Sequence, residues 1–295
     1  MTTLGRQMSR WLYDFASSRD SRWTANLISR IPGSGRLYNT VVDSNRPSEL
    51  EIRVNELTIT VDLDYEDGED LPPAHPLNWF YPRYADGTPH EPALSSHFVG
   101  AIRPGDVVFD CGSHVGYFGA LAAKKLDGDG TIVSIEPARE REEHIRRLVE
   151  DNNSGARSEV LTVAAGESDG EMKLEHRGEW KHLERAGIGR SKCVDVPSRS
   201  LDSIADEYGT PDVVKIDIEG GELSALRGAS DVLDSDAVVF CEVHPNKIEE
   251  GGVRECIRLL SRERECRVVE SRTGELSEVS ETPSRREPFL LRSDP

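Results

Sequence analysis

The chain reads as an α/β protein: a doubly wound sheet of seven strands, preceded by a helical and β extension. Three observations predict it. Residues 107–109 are a short apolar run suited to a strand buried on both faces, and further strand segments follow at 131–135, 213–218 and 237–243. Amphipathic helical segments alternate with them, as at 139–152, where Ile145, Leu148 and Val149 share one face. The first run feeds a helix through a glycine turn, Asp110-Cys111-Gly112-Ser113-His114-Val115-Gly116. That is how open α/β sheets hold a nucleotide-like cofactor.

Residues 1–92 form the extension and 93–295 the cofactor domain. The extension opens with two amphipathic patches, Met8, Trp11, Leu12 and Phe15, then Trp23, Leu27, Ile28 and Ile31, the second ended by Pro32 and Gly33. They suit a helical pair packed on the main domain, and the flanking arginines also suit a membrane-surface helix. Residues 51–54 and 57–63 alternate as two strands around Asn55-Glu56. Residues 64–92 are rich in proline and carry Trp79, Phe80, Tyr81 and Tyr84, which suits an ordered lid or substrate wall.

In the domain, 93–102 is a helix leading into the first strand. The second strand ends at Glu136-Pro137, and the third spans 160–164. Residues 166–196, glycine-rich and charged, read as a β-hairpin insertion. A helix at 200–208, the fourth strand at 213–218, a helix at 222–233, the fifth strand at 237–243 and a helix at 253–262 follow. Segments 267–270 and 288–291 supply the last two strands.

Composition narrows the class. Asp and Glu number 54 against 36 Lys and Arg, a net charge of -18 spread along the chain. A diffuse acidic surface keeps a protein soluble and is a lever that halophiles use. It opposes direct nucleic-acid binding, which needs a basic stripe. The five cysteines contain no C-x-x-C pair, which argues against a disulfide framework or a structural zinc site; Cys111 and Cys241 read as small core residues. No apolar run reaches the length of a membrane span, and Arg6, Arg10 and Asp14 interrupt any signal-peptide core, so the chain is expected in the cytoplasm.

Ligands of such sheets bind beyond the carboxyl ends of the strands. Asp110 stands at the first exit, where a carboxylate would repel a dinucleotide pyrophosphate, and the loop lacks the G-x-G-x-x-G spacing. It suits an adenosine ligand that carries positive charge, such as S-adenosylmethionine. Glu136, at the second exit, can accept both ribose hydroxyls. Ala164 and Ala165, at the third, leave room for a flat adenine. The fourth exit holds Lys215, Asp217, Glu219 and Glu222 around a glycine turn; the fifth holds Glu242 and His244 on one face. Histidine is the side chain most easily poised as a base near neutral pH.

Together these stretches resemble the FkbM family of S-adenosylmethionine-dependent methyltransferases. The resemblance rests on Pro104-Gly105-Asp106, on Asp110 to Gly116, on Lys215-Ile216-Asp217-Ile218-Glu219-Gly220 followed by Glu222-Leu223, on Ser200-Leu201-Asp202 and on Glu242-Val243-His244. Ser113 and His114 depart from the family's Ala and Asn. The resemblance implies a class I, Rossmann-like methyltransferase sheet and O-methylation of a hydroxyl on a glycan or small molecule. The implied cofactor residues are Asp110, Gly112, Ser113, His114, Gly116, Glu136, Ala165 and Asp217. The candidate bases for the hydroxyl proton are His244, Asp217 and Glu219. The sequence offers no separate ligand set for a metal, so a divalent ion is the lesser alternative. A non-catalytic binding module of the same fold, and an NAD-linked oxidoreductase, are the competing readings.

Overall fold

Among the described residues eight strands form the main sheet, in the order β12-β11-β13-β10-β9-β3-β4-β5. They are β3 (Val107–Cys111), β4 (Thr131–Ile135), β5 (Arg157–Leu161), β9 (Val213–Ile216), β10 (Val238–Val243), β11 (Glu265–Val269), β12 (Leu276–Glu278) and β13 (Phe289–Asp294). The structure is a computed structural model and describes residues 46–63, 77–81, 83–175, 193–279 and 288–295. Strands β5, β4, β3, β9 and β10 run parallel. β13, β11 and β12 add antiparallel at the β10 edge. The sheet therefore has one strand more than the seven expected, the short β12, whose Leu276-Ser277-Glu278 gave no apolar run to detect.

Alternation along the strands divides the core in two. Phe109, Cys111, Val133, Ile135, Val214, Ile216, Val239, Cys241 and Val243 join one cluster with Leu201, Ile204, Leu223, Leu226, Val232, Cys256 and Leu260. These come from α5 (Leu201–Tyr208), α6 (Glu222–Arg227), α7 (Ser230–Leu233) and α8 (Gly252–Leu260). The other set of positions meets α2 (Pro92–Ala101) and α3 (Tyr117–Leu126), where the Phe98 ring stands edge-on to Phe118 and Phe240. Helix α4 (Glu142–Asp151) buries Ile145, Leu148 and Val149 and is packed on α3 and β5. Cys111 and Cys241 are fully buried, and burial pushes both thiols well above their ordinary range.

Several boundaries differ from expectation. The helix expected at 222–233 breaks into α6 and α7 at Gly228, where an added Cβ would lie 2.1 Å from the Gly166 carbonyl oxygen. The fourth strand stops at Ile216, and Asp217 enters the turn. The third strand ends at Leu161; Ala164–Ala165 instead form β6, paired with β8 (Cys193–Arg199). Antiparallel β7 (Gly170–Glu175) completes this small sheet, and the residues joining β7 to β8 lie outside the described ones.

The chain divides into two compact units, Met1–His90 and Glu91–Pro295. In the first, β1 (Glu49–Val54) and β2 (Leu57–Asp62) pair through Asn55, whose left-handed φ of 54° asparagine tolerates. Trp79, in the short α1 (Leu77–Phe80), packs edge-on to Phe80 and against Tyr84 and His90. The two amphipathic N-terminal patches and residues 64–76 lie outside the described residues. Among the described residues no helix is long and apolar enough to cross a membrane.

Candidate active site

Strand register sets a polar row across the sheet. Asp110 of β3 lies beside Ser134 of β4 and Lys215 of β9, and Lys215 lies beside Phe240 of β10. Asp110 is fully buried, and among the described residues neither of its oxygens accepts a well-aligned hydrogen bond; its counter-charge is Lys215 Nζ, 3.3 Å from Oδ1. The same ammonium donates to the Gly112 carbonyl at 3.1 Å, stands 3.7 Å from Asp217 Oδ2 and sits 4.9 Å over the Phe118 ring. Burial opposes the charge on Lys215, but Asp110, Asp217 and Glu91 outweigh it and hold the group above its ordinary range.

Beyond this row the backbone turns sharply. Gly112 has φ 80°, and an added Cβ would lie 1.9 Å from the Asp217 carbonyl oxygen, so only glycine lets the two strand exits close up. Gly116 has φ 88° and abuts Ile145. The loop satisfies its own donors. Gly112 and Ser113 N–H go to the Ile135 carbonyl, Gly116 N–H to the Ser113 carbonyl, and His114 N–H to Glu136 Oε2 at 2.9 Å. Ser113 Oγ donates to the Asp110 carbonyl. With these four N–H groups taken, the loop itself offers none of them to a phosphate.

Glu136, 6% exposed, also accepts from Ala138 N–H at 3.1 Å, with Arg141 3.7 Å away. Burial raises its pKa, opposed by Arg141 and by the two backbone donors. Ser134 Oγ is buried without a hydrogen-bond partner among the described residues. Ala165 is buried on β6 in the core, not on β5, because the third strand ends four residues before it.

The exits of β9 and β10 carry a denser group. His244 Nδ1 lies 2.8 Å from Oε1 of the fully buried Glu222, which also accepts the Gly220 N–H. His244 Nε2 faces Glu242 Oε2 at 3.5 Å and Asp217 Oδ1 at 3.9 Å. Burial lowers the imidazole pKa, but the Glu222 hydrogen bond and the neighbouring carboxylates outweigh it and the net shift is upward. Burial and the charges of Asp217 and Glu91 push Glu242 up to about 8. Glu91, at the N-terminus of α2, is raised by burial and by Asp217. Glu91 and Glu242 both line a cavity of about 140 Å³, walled further by Leu94, Val269, Pro288 and Phe289.

Asp217 and His244 are thus brought together, and Glu219 is not. Its side chain is 68% exposed and pairs with Lys247, because a left-handed φ of 57° turns the chain at that point. Sequence reasoning missed Glu91, whose only local signal is its place before Pro92 at a helix start. It also left Glu222 among the acids of the fourth exit without a role; the structure makes Glu222 the anchor of His244.

The model of the methyltransferase FkbM domain matches residues 110–272, more than half of the chain. The chain belongs to the FkbM methyltransferase domain family. Its sheet order and glycine turn are those of a class I methyltransferase fold. The hexuronic acid methyltransferase AglP of Haloferax volcanii is 28% identical over 148 residues, 47% of this chain and 56% of that protein. The match thus spans little more than half the length of this curated relative. Among solved structures, a precorrin-6y C5,15-methyltransferase from Geobacter metallireducens aligns with 12% identity and a TM-score of 0.41, over 68% of this chain and 88% of its own. An S-adenosylmethionine-dependent O-methyltransferase from Thermotoga maritima aligns with 12% identity and a TM-score of 0.38, over 69% and 65%.

Proposed function

We propose that this FkbM domain transfers a methyl group from S-adenosylmethionine to a hydroxyl of a sugar acceptor of the uronic acid kind. The observation that carries the reading is the meeting, at one end of one sheet, of two unlike sites: the self-satisfied 110–116 loop with Glu136, and the Asp217–Glu242–His244 group beside a cavity. The buried carboxylate of Asp110 and the buried Ser134 hydroxyl, with Gly112 and Gly116 leaving room, fit an adenosine that carries positive charge. Asp110, Gly112, Ser113, His114, Gly116, Glu136 and Asp217 would hold it, with Ala165 the weakest of the set. S-adenosylmethionine supplies an activated methyl group when bound. The chain's part is to align the acceptor hydroxyl and to take up charge where its proton leaves, at Asp217 and His244. Glu219, exposed and paired with Lys247, serves the outside of the turn.

The relative that acts on a hexuronic acid supports the acceptor class. The net charge of -18 supports a high-salt working environment, and the assay belongs there. Calorimetry with S-adenosylmethionine and NAD, followed by transfer of labelled methyl to uronic-acid oligosaccharides, tests the reading. Binding of the former alone, with label on the sugar, is expected. Binding of NAD instead would overturn the cofactor assignment. Binding of S-adenosylmethionine without transfer to any sugar would make the chain a binding module.

A further inference from the structure

The group at the exits of β9 and β10 has the make-up of a metal site. Asp217, Glu242 and His244 offer two carboxylate oxygens and one imidazole nitrogen, all within 4.8 Å of one another. The histidine is the decisive member, because it is preset. Its side chain is 7% exposed, and Glu222, fully buried, fixes Nδ1 at 2.8 Å. That leaves Nε2 aimed between Glu242 and Asp217 at 3.5 and 3.9 Å, without a hydrogen bond of its own among the described residues. A carboxylate holding the far nitrogen of a ligating histidine is the usual outer support of a metal centre, since it fixes ring orientation and raises basicity. Adjacent oxygens around a small divalent ion with bonds near 2.1 Å stand about 3 Å apart. The two contacts of His244 Nε2 reach that spacing with movements below about 1 Å, and all three ligand atoms already lie within 4.8 Å of one another.

We propose that Asp217, Glu242 and His244 hold one divalent cation of the Mg²⁺ or Mn²⁺ kind beside the cavity that Glu242 also lines. Hard oxygen ligands with one imidazole suit such an ion, and three protein ligands leave positions open. The cavity explains what the ion is for, and this part rests on the methyl-transfer reading. Glu91 and Glu242 line the cavity with carboxyl groups and bring it no cation. The carboxylate of an acidic sugar would find no positive partner there, and a divalent ion supplies one and offers its open positions to the sugar's oxygens. With the ion in place Asp217 and His244 serve as its ligands rather than as proton acceptors, and the hydroxyl, made more acidic by the ion, loses its proton to solvent.

Mn²⁺ alone, titrated into the full chain and followed by loss of the free-ion electron paramagnetic resonance signal, tests this. Work at about 1 M KCl shortens the screening length to about 3 Å and suppresses loose ions on the acidic surface. One saturable ion per chain, displaced by Mg²⁺, is expected. Glu242→Gln should abolish it and Glu222→Gln should weaken it about 10–100-fold. Glu140→Gln, on an exposed turn, should change nothing. Absence of a saturable ion, or equal binding by parent and Glu242→Gln, overturns the proposal. Paramagnetic broadening of the His244 ring signals in the unmutated chain gives a readout free of folding defects: selective broadening supports the site and unchanged signals refute it. Loss of S-adenosylmethionine binding with Mn²⁺ binding intact would instead defeat the methyl-transfer reading and leave the ion site standing.

Discussion

Two strand-exit regions of one sheet use the same residue types to opposite ends. At the β3 and β4 exits, each buried carboxylate meets donors from its own chain: Asp110 has Lys215, and Glu136 has two backbone N–H groups and Arg141. At the β9 and β10 exits, Asp217, Glu242, Glu222 and Glu91 gather around one histidine, with Lys215 on the margin at 3.7 Å from Asp217. The first region balances most of its charge within the chain and reads a ligand by shape, hydrogen bonds and the Asp110 carboxylate. The second is short of positive charge and reads a ligand by what that ligand adds. A carboxylate at a strand exit therefore says little by itself; the donors within about 4 Å decide its task.

Removing the shared counter-charge breaks the contrast most severely. Lys215→Met leaves Asp110 buried without a partner and should cost about 3–5 kcal/mol of stability in urea unfolding. A loss below about 1 kcal/mol would mean that Asp110 does not depend on Lys215. Gly112→Ala comes next. It forces an alanine to φ near 80° against the Asp217 carbonyl, so it should lose about 1–3 kcal/mol and weaken both regions together. Calorimetry showing only one region affected would separate them. Glu136→Gln is the mildest and the most selective. It removes charge-assisted acceptance worth about 1.5–3 kcal/mol, roughly tenfold or more in cofactor Kd. Mn²⁺ binding should stay as in the parent, and a parallel loss of both would contradict the division of labour.

How much of this was legible in the sequence follows the range of each interaction. The 110–116 loop announced itself because a strand, two glycines and a helix lie in one short stretch, and local sterics alone shape it. Glu136 was legible for the same reason, as an acid ending an apolar run. Glu91 was not, since nothing near it in sequence says that α2 returns to β10. Glu222 carried a misleading local signal: an acid in a helix first turn is common as a dipole partner. Glu219 misled in the other direction, since the side of the turn it faces depends on one left-handed residue. Lys215 was visible as a residue, yet its burial between two carboxylates comes from the register of β3 on β9. The charged, exposed β12 escaped notice because an edge strand needs no apolar pattern.

The placement of β13 bears on how such a protein is made. β13 follows β11 and β12 in the chain but inserts between β10 and β11. While a ribosome is still delivering the segment after β12, β10 must wait with one row of peptide groups unclaimed. That row includes Cys241, Glu242 and Val243, which later pair with Leu291, Leu290 and Phe289. An unclaimed edge of this kind attracts the wrong strands, from the same chain or from a neighbour. The nascent chain thus carries Glu242 on an unfinished edge until β13 seals the sheet.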